Sequence, residues 1–228
     1  MTQLELLNQH VHGDLHLRAW EETSRNFIPL AASEFTAAAA YYPILLTKNA
    51  HTGQFYAGAM LGLKPGENLF LDGRGRLSGY RPLDLERQAF FISGEEIAVD
   101  RTHPRLGESD GTPLFEDDGR PADPLRRIQR ALAQLNSGMA ETDQFLQAML
   151  GAELIEPIEV ALNFDDGERL ILQELYTVSS DRLQQLPDDQ VLDLFRRGYL
   201  QLAYAQIGSL KQIGSLARRR NDRLSALA

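Results

Sequence analysis

The chain has 228 residues, 43% of them hydrophobic and 24% charged, and its formal net charge at pH 7 is −9. This composition is typical of a globular protein with a buried core and argues against disorder. The acidic balance argues against a general nucleic-acid binder, because such proteins need an excess of Lys and Arg to neutralise phosphates. Because the chain has no cysteine, disulfides, thiolate nucleophiles and cysteine-ligated metal centres are excluded.

Neither a targeting signal nor a membrane-spanning segment is found in the sequence. Residues 1–8 lack the basic region and the apolar stretch of a secretory signal. The most apolar stretch, 37–46, contains Pro43 and is shorter than the roughly 18 apolar residues of a membrane helix. We therefore expect a soluble, cytoplasmic protein that does not span a membrane.

The first half of the chain is rich in strand patterns. Residues 4–17 alternate loosely between apolar and polar side chains, which predicts a half-buried strand. Ser33 and the four alanines that follow predict a helix from Glu34 to Tyr41, ended by Pro43. Further strands are predicted at 44–47, 54–61, 69–71, 90–92 and 96–99, the first two joined by a hairpin loop at 49–53.

The second half begins with a polar segment at about 100–123, which predicts a long loop with a small hairpin at Asp118-Gly119. A helix is predicted to begin at Pro124 with Asp123 as its N-cap, and Asn136-Ser137-Gly138 is expected to interrupt it before a second helix over 140–150. A hairpin over 158–175, a short helix capped by Ser180 and a long amphipathic helix over 191–216 complete the pattern.

The order of these elements predicts an α+β fold. Strands do not alternate regularly with crossover helices, so a doubly wound parallel sheet is disfavoured. We expect a mostly antiparallel sheet or a partly open barrel packed against helices from the C-terminal half. A single domain over 1–228 is predicted, because the hairpin at 158–175 needs other strands in order to be stable.

The end of the chain is basic, with Lys211, Arg218, Arg219, Arg220 and Arg223 opposed only by Asp222. Two interpretations are open. Cations at a helix C-terminus complement the helix dipole, and a short basic segment also suits the docking of a phosphate or a partner.

Several segments, taken in order and spacing, resemble the SapC family of bacterial proteins. These are Glu34-Phe35 with Tyr42-Pro43-Ile44, Gly62-Leu63 with Gly66-Glu67-Asn68-Leu69-Phe70, Gly79-Tyr80-Arg81-Pro82 with Arg87 and Phe90, and Leu175-Tyr176 with Tyr204 and Ser209-Leu210. Ala89 stands where the family usually has proline. The resemblance implies a protein without assigned catalytic residues whose family name is associated with surface-layer gene regions. A chain with no membrane span is not the transporter permease that shares the symbol.

One candidate site is a metal site formed by His10, His12, Asp14 and His16. On one straight strand these four side chains would share a face, and imidazole with carboxylate suits Zn, Fe or Mn. Gly13-Asp14 also has the pattern of a turn, which would break that face.

The second candidate site lies in the family-like segments and consists of Glu34, Tyr42, Tyr80, Arg81 and Arg87. If the fold brings them together, Arg87 is suited to bind a carboxylate bidentately, either that of Glu34 or that of an acidic ligand. The tyrosines would form an amphipathic wall. The alternative is a structural Arg–Glu pair, with the tyrosines covering the core.

No recognised catalytic motif is present: the sequence has no Gly-x-Ser-x-Gly, no His-Glu-x-x-His and no phosphate-binding loop. The leading hypothesis is a non-enzymatic accessory or binding protein that recognises a peptide, a protein or a small ligand and needs no cofactor. The alternatives are a metal-dependent enzyme that uses the N-terminal histidines and a surface-layer structural component.

Overall fold

The computed structural model describes residues 4–19 and 24–227. Contacts divide the chain into two compact units. Unit 1 contains the described part of 1–22 together with 72–77 and 83–137, and unit 2 contains the described part of 23–71 together with 78–82 and 138–228. The single domain predicted over 1–228 stays a prediction.

The described secondary structure consists of short strands in the first half and longer helices in the second. The strands are β1 (Leu4–Leu6), β2 (His16–Leu17), β3 (Phe27–Pro29), β4 (Ile44–Lys48), β5 (Phe55–Met60), β6 (Phe90–Ser93), β7 (Glu96–Asp100), β8 (Leu106–Gly107), β9 (Thr112–Pro113), β10 (Ile155–Asn163) and β11 (Arg169–Val178). The helices are α1 (Gln9–His12), α2 (Phe35–Ala38), α3 (Leu83–Glu86), α4 (Asp123–Gly151), α5 (Ser180–Gln184), α6 (Asp188–Arg196), α7 (Tyr199–Ser209) and α8 (Gln212–Leu227), with a 3₁₀ turn at Ala32–Glu34.

Unit 1 contains two small antiparallel sheets, with strand orders β1-β7-β6 and β8-β2-β9. The predicted strands at 90–92 and 96–99 are confirmed as β6 and β7. The polar segment 100–123 is more ordered than the predicted loop, because β8 and β9 pair with the two edges of β2. The small hairpin at Asp118-Gly119 is confirmed by a bridge between Phe115 and Pro121. These elements enclose an apolar core made of Leu15, Phe90, Val99, Leu106, Leu114, Leu125, Ile128 and Leu132.

Unit 2 is built on a five-stranded antiparallel sheet with the order β10-β11-β4-β5-β3. The two predicted hairpins are confirmed as β4–β5 and β10–β11. The register of β10–β11 shifts between Ile158 and Val160, and Glu174 opposite them has a φ of 59°, which marks a β-bulge. The expected strand at 69–71 does not form one of the named strands, and β3 has no counterpart among the predictions.

A side-chain amide joins the two halves of this sheet. β4 and β11 pair at one position only, Leu46 opposite Tyr176. Beyond that point the buried Gln206 of α7 lies between the strands: its Oε1 accepts the Val178 N–H at 3.0 Å, and its Nε2 donates to the Ile44 carbonyl at 2.8 Å. Ser209, one turn later, accepts the Ile44 N–H at 2.8 Å. The helix therefore supplies hydrogen bonds that the strands do not make with each other.

Helix α4 is continuous over its 29 residues, so the predicted interruption at Asn136-Ser137-Gly138 is wrong. Gly138 is needed for close packing rather than for a turn, since a Cβ there would lie 3.0 Å from the Cβ of Ala31. The buried Thr142 hydroxyl donates to the Gly138 carbonyl at 2.6 Å and accepts the Ala32 N–H at 2.8 Å. This contact fixes the start of the 3₁₀ turn against α4.

Other predicted element boundaries need correction. The long helix expected over 191–216 is three helices: Gly198, with a left-handed φ of 75°, separates α6 from α7, and a second break lies between Ser209 and Gln212. The expected N-terminal strand is interrupted by α1, whose N-cap Asn8 accepts the His10 N–H at 2.8 Å. Ser179, rather than Ser180, is the N-cap of α5. The helix expected over 34–41 is shorter, with the 3₁₀ turn followed by α2.

The basic end of the chain is bound within unit 2. The buried Arg220 donates to Glu67 at 2.9 Å and to Glu168 at 2.6 Å. Arg223 donates to the Asn68 carbonyl at 2.7 Å, and the Arg219 guanidinium lies 4.4 Å from the Phe70 ring centroid. These cations fasten α8 to the 67–71 segment and to the β10–β11 hairpin.

The predicted α+β class with antiparallel sheets is confirmed, and the sheets of the described chain are open. Helix α7 packs against β4 and β11, as expected of helices from the C-terminal half. Among residues 4–19 and 24–227, no helix has both the length and the apolar character needed to cross a membrane.

Removal of the Gln206 amide is expected to lower the stability of the fold strongly. The Gln206→Leu substitution should lower the free energy of unfolding by about 3 kcal/mol, because it leaves the buried Val178 N–H unpaired and the Ile44 carbonyl with only the long hydrogen bond from Ser209 at 3.5 Å. Gln201→Leu, on the exposed side of the same helix, is the matched control and should change stability by less than about 0.5 kcal/mol. Urea unfolding followed by circular dichroism measures both, and equal effects would contradict the bridging role.

The backbone at Ala89 gives a second prediction. Ala89 is buried with a left-handed φ of 75°, and its carbonyl accepts the Asp100 N–H at 2.8 Å. Proline fixes φ near −65°, so Ala89→Pro should destabilise the protein by about 3 kcal/mol or more. Ala89→Gly should be close to neutral, because the relief of strain offsets the loss of a buried methyl group. Thermal unfolding of both variants tests this, and a proline variant as stable as wild type would contradict the left-handed backbone at Ala89.

Candidate functional site

Three of the predicted site residues form one hydrogen-bonded network in unit 2. Glu34 is 2% exposed at the end of the 3₁₀ turn, where its Oε2 accepts the Ala31 N–H at 2.9 Å. The Tyr80 hydroxyl donates to Glu34 Oε1 at 3.0 Å. The Tyr42 hydroxyl in turn donates to the Tyr80 carbonyl. The network ties residues 78–80 to the segment that leads into β4.

Two further contacts shape this network. The fully buried Tyr42 ring packs edge-on against Phe70, with ring centroids 4.6 Å apart. Gly79 has a φ of 102°, and a Cβ there would lie 2.6 Å from the Tyr41 ring. Only glycine suits both the backbone conformation and the space. The fold thus explains why the family-like segment has glycine at position 79, directly before Tyr80.

The surroundings of Tyr80 change its acidity. Burial raises the pKa of the Tyr80 phenol well above its usual range, and the negative charge of Glu34 raises it further. Tyr80 is therefore a neutral hydrogen-bond donor at physiological pH. The arrangement can hold a proton on the phenol but does not make it a base.

The two predicted arginines lie in different units. Arg81 is half-buried beside Tyr80 in unit 2, and Arg87 follows α3 in unit 1. The carboxylate partner of Arg87 is Asp84, which accepts from Nε at 3.0 Å and from Nη2 at 2.6 Å. The Arg87 guanidinium also lies 5.4 Å from the Phe91 ring centroid. A ligand-binding role of Glu34, Tyr42, Tyr80, Arg81 and Arg87 stays a prediction.

The N-terminal histidines do not share one strand. His10 is exposed on α1, whereas His12 is buried with Nε2 3.1 Å from Glu5 Oε2. Asp14 lies in the turn that follows, and His16 begins β2 with Nδ1 2.9 Å from the Asp14 carbonyl. Within residues 4–19 and 24–227, no group of three or more His, Asp or Glu side chains is placed to hold a metal ion. The metal site stays a prediction.

A groove in unit 1 is a candidate that the sequence patterns do not indicate. Its cavity measures about 470 Å³, within the range of roughly 300–1,000 Å³ usual for small-molecule sites. Leu15 and Leu106 belong to the unit 1 core, so the apolar part of its lining is held rigidly. The lining residues are Leu15, Arg18, Arg101, Thr102, His103, Pro104, Leu106, Gly107, Glu108 and Ser109.

Each arginine of the groove is positioned by an acid more exposed than itself. Arg18 Nε lies 2.8 and 2.9 Å from the two carboxylate oxygens of Asp110, and Arg101 Nη2 donates to Glu108 at 3.2 Å. The arginine side chains are 41% and 38% exposed, and the carboxylates 63% and 73%. The hydrogen bond from Arg18 holds the pKa of Asp110 below its usual range.

The backbone explains why the groove exists. A Cβ at Gly107 would lie 2.5 Å from Arg18 Nε, so a side chain there would occupy the place of the guanidinium. Gly111 has a φ of 114°, which turns the chain between β8 and β9. Pairing of β2 with both of these strands brings Arg18, next to β2, beside the 101–109 segment. The available sequence signal was the pair of glycines in a polar segment, which also fits an ordinary loop.

The Tyr80–Glu34 hydrogen bond predicts a pH-dependent stability difference. Tyr80→Phe should lower the free energy of unfolding by about 1.5–3 kcal/mol at pH 8, because the buried carboxylate loses a hydrogen bond. Since the folded pKa is raised, the stabilisation is complete below the ordinary tyrosine pKa of about 10 and is lost as pH rises towards the folded value. The difference from wild type should therefore shrink above pH 10.

Urea unfolding at pH 8 and pH 10.5 measures this difference. Tyr41→Phe, at a residue that is 46% exposed, is the control and should change stability little at either pH. A Tyr80→Phe variant as stable as wild type at pH 8 would contradict the assigned bond.

Comparison with known protein families matches residues 7–216 of the 228 to SapC. No curated protein and no solved structure matches the chain. The matched span contains the segments around Tyr42, Gly66 and Tyr80 on which the resemblance was based, and it covers nearly the whole chain. The protein therefore belongs to the SapC family.

Proposed function

We propose that this protein is a non-catalytic binding protein whose groove at residues 101–109 takes a small anionic ligand. The observation that carries the proposal is the pair of half-exposed guanidinium groups, Arg18 and Arg101, in the lining of one cavity. Arginine offers five N–H donors in a planar fork that matches carboxylate or phosphate oxygens. Among the described residues, Asp110 takes up only the Nε–H of Arg18, which leaves its Nη donors for a ligand.

The side chains that line the groove are better suited to binding an anion than to catalysing a reaction on it. Arginine stays protonated at physiological pH and does not serve as an acid or a base. The ring of His103 is oriented by the Arg105 N–H, which donates to its Nδ1 at 3.1 Å. The two positive charges that arginine supplies to the groove are therefore present throughout the physiological pH range.

The size and charge of the groove set the ligand class. A cavity of about 470 Å³ suits a small molecule rather than a folded partner. The whole chain carries −9, and the two guanidinium groups in the lining provide a local attraction for an anion against the general repulsion. We infer that small carboxylates bind the guanidinium donors that the hydrogen bonds to Asp110 and Glu108 do not use.

Titration with acetate, succinate, citrate and inorganic phosphate tests the proposal. Arginine Nε–Hε signals followed by NMR at low salt should shift for Arg18 and Arg101 and saturate with at least one of these anions. Arg101→Ala should weaken that binding by about tenfold or more, since a hydrogen bond to a charged group contributes about 1.5–3 kcal/mol.

Arg120→Ala is the matched control, because Arg120 is an exposed arginine of unit 1 that pairs with Asp118 at 2.7 Å outside the groove. It should leave binding unchanged. Absence of saturable shifts with all four anions, or an equal loss in the Arg120 variant, would reject the groove as the site.

A further inference from the structure

Helix α6 presents an outward face that the fold of unit 2 does not cover. Leu194 is 4% exposed and turns inward, and α6 packs against α7. On the other side Leu192 is 45% and Phe195 68% exposed. Leu192 and Phe195 are three residues apart, so they are neighbours on the helix surface and form one exposed apolar pair.

The charges on this face follow the helical repeat. Asp188, Leu192, Phe195 and Arg196 are spaced at i, i+4, i+7 and i+8, which places them on one side of the helix. Asp188 and Arg196 are both exposed. Leu192 lies midway between them, four residues from each. The face therefore has an acidic end, an apolar centre and a basic end.

We propose that this face binds the same face of a second copy of the chain, with the two α6 helices antiparallel. A two-fold axis at Leu192 would set Asp188 of each copy opposite Arg196 of the other. Leu192 would meet its own counterpart, with Phe195 packed beside it. The exposed Asp189 adds negative charge at the end that faces Arg196 of the second copy.

Charge complementarity favours a second copy over other occupants. A parallel pair would put like charges together, whereas the antiparallel pair opposes unlike charges at both ends. An anionic membrane would be repelled by Asp188 and Asp189 and would need a polar face rich in Lys and Arg. Asp193 and Arg197 form an ion pair with each other at 3.4 Å, so the proposed interface does not use their charges.

The face is small, and this sets the strength expected of the dimer. A helix of nine residues contributes less than the roughly 1,200 Å² of a stable interface, so the association should be weak and reversible. It should also weaken with added salt, because the end-to-end ion pairs are exposed. The dimer is therefore expected at high protein concentration and low ionic strength.

Sedimentation equilibrium of the full chain over a range of concentrations tests this proposal. Phe195→Ala should weaken dimerisation by about 100-fold, since both copies lose an aromatic anchor. Asp188→Arg and Arg196→Asp should each weaken it by about tenfold, because like charges then face each other. The double variant Asp188→Arg with Arg196→Asp should recover most of the affinity that either single variant loses, because unlike charges again face each other, while the unchanged Asp189 opposes the acid introduced at position 196.

Mixing the two single charge variants gives a test that is independent of folding. The face of the Asp188→Arg variant is cationic at both ends, and the face of the Arg196→Asp variant is acidic at both ends. In the mixture, unlike charges meet at both ends, so heterodimers should form more tightly than either homodimer. Met139→Ala, at a residue 63% exposed on α4, is the control for loss of an exposed apolar side chain. It should leave the association constant unchanged.

Two results would overturn the proposal. One is a protein that remains monomeric at about 500 µM in low salt, above the dissociation constants of many weak complexes. The other is a dimer whose affinity is insensitive to Phe195→Ala or is no higher in the double charge variant than in the single charge variants. Thermal unfolding of each variant shows that the fold is intact.

Discussion

The five-stranded sheet of unit 2 depends on one buried amide. Between β4 and β11 the strands exchange little pairing of their own, and Gln206 accepts from one strand while donating to the other. Only a side chain with both a donor and an acceptor can do this, and it must reach from a helix packed across the junction. The position of α7, the continuity of the sheet and the burial of Ile44 and Val178 therefore follow together. An apolar residue would fill the same space and leave buried polar groups unpaired.

The arginines divide into two kinds by their surroundings. Arg220 is buried between two carboxylates, and the buried Arg105 donates to carbonyls at the end of α3, so both stabilise the fold. Arg18 and Arg101 are half-exposed in the wall of a cavity, with acids at the more exposed side. The family-like network of Glu34 and Tyr80 resembles the first kind, because its hydrogen bonds are made inside unit 2. The accessible guanidinium groups of Arg18 and Arg101 therefore support ligand binding better than the buried network of Glu34 and Tyr80 does.

The sequence patterns predicted elements wherever local chemistry and tertiary contacts agree. Two strand patterns flanking the loop at 49–53 located β4–β5, alternation with a central turn located β10–β11, and Asp123 with Pro124 located the start of α4. Two of the failures concern glycines, whose role at a given position local rules do not specify. Gly138 was taken as a helix break and is a packing contact with Ala31, whereas Gly198 lies in a pattern that looked continuous and ends a helix. The residue type is the same, and its neighbours in space decide which role it takes.

The candidate sites show the same division between sequence and tertiary structure. The sequence by itself determined the family, the α+β class, the acidic charge and the exclusion of thiolate chemistry, because these depend on composition and on the order of elements along the chain. It also brought Glu34, Tyr42 and Tyr80 into one hypothesis, and they do lie in one network. The tertiary structure alone decided that Arg87 pairs with Asp84 and that Arg18 lies beside residues more than 80 positions later. Such contacts arise from strand pairing over long separations, and no periodicity within a segment encodes which distant strand will pair with it.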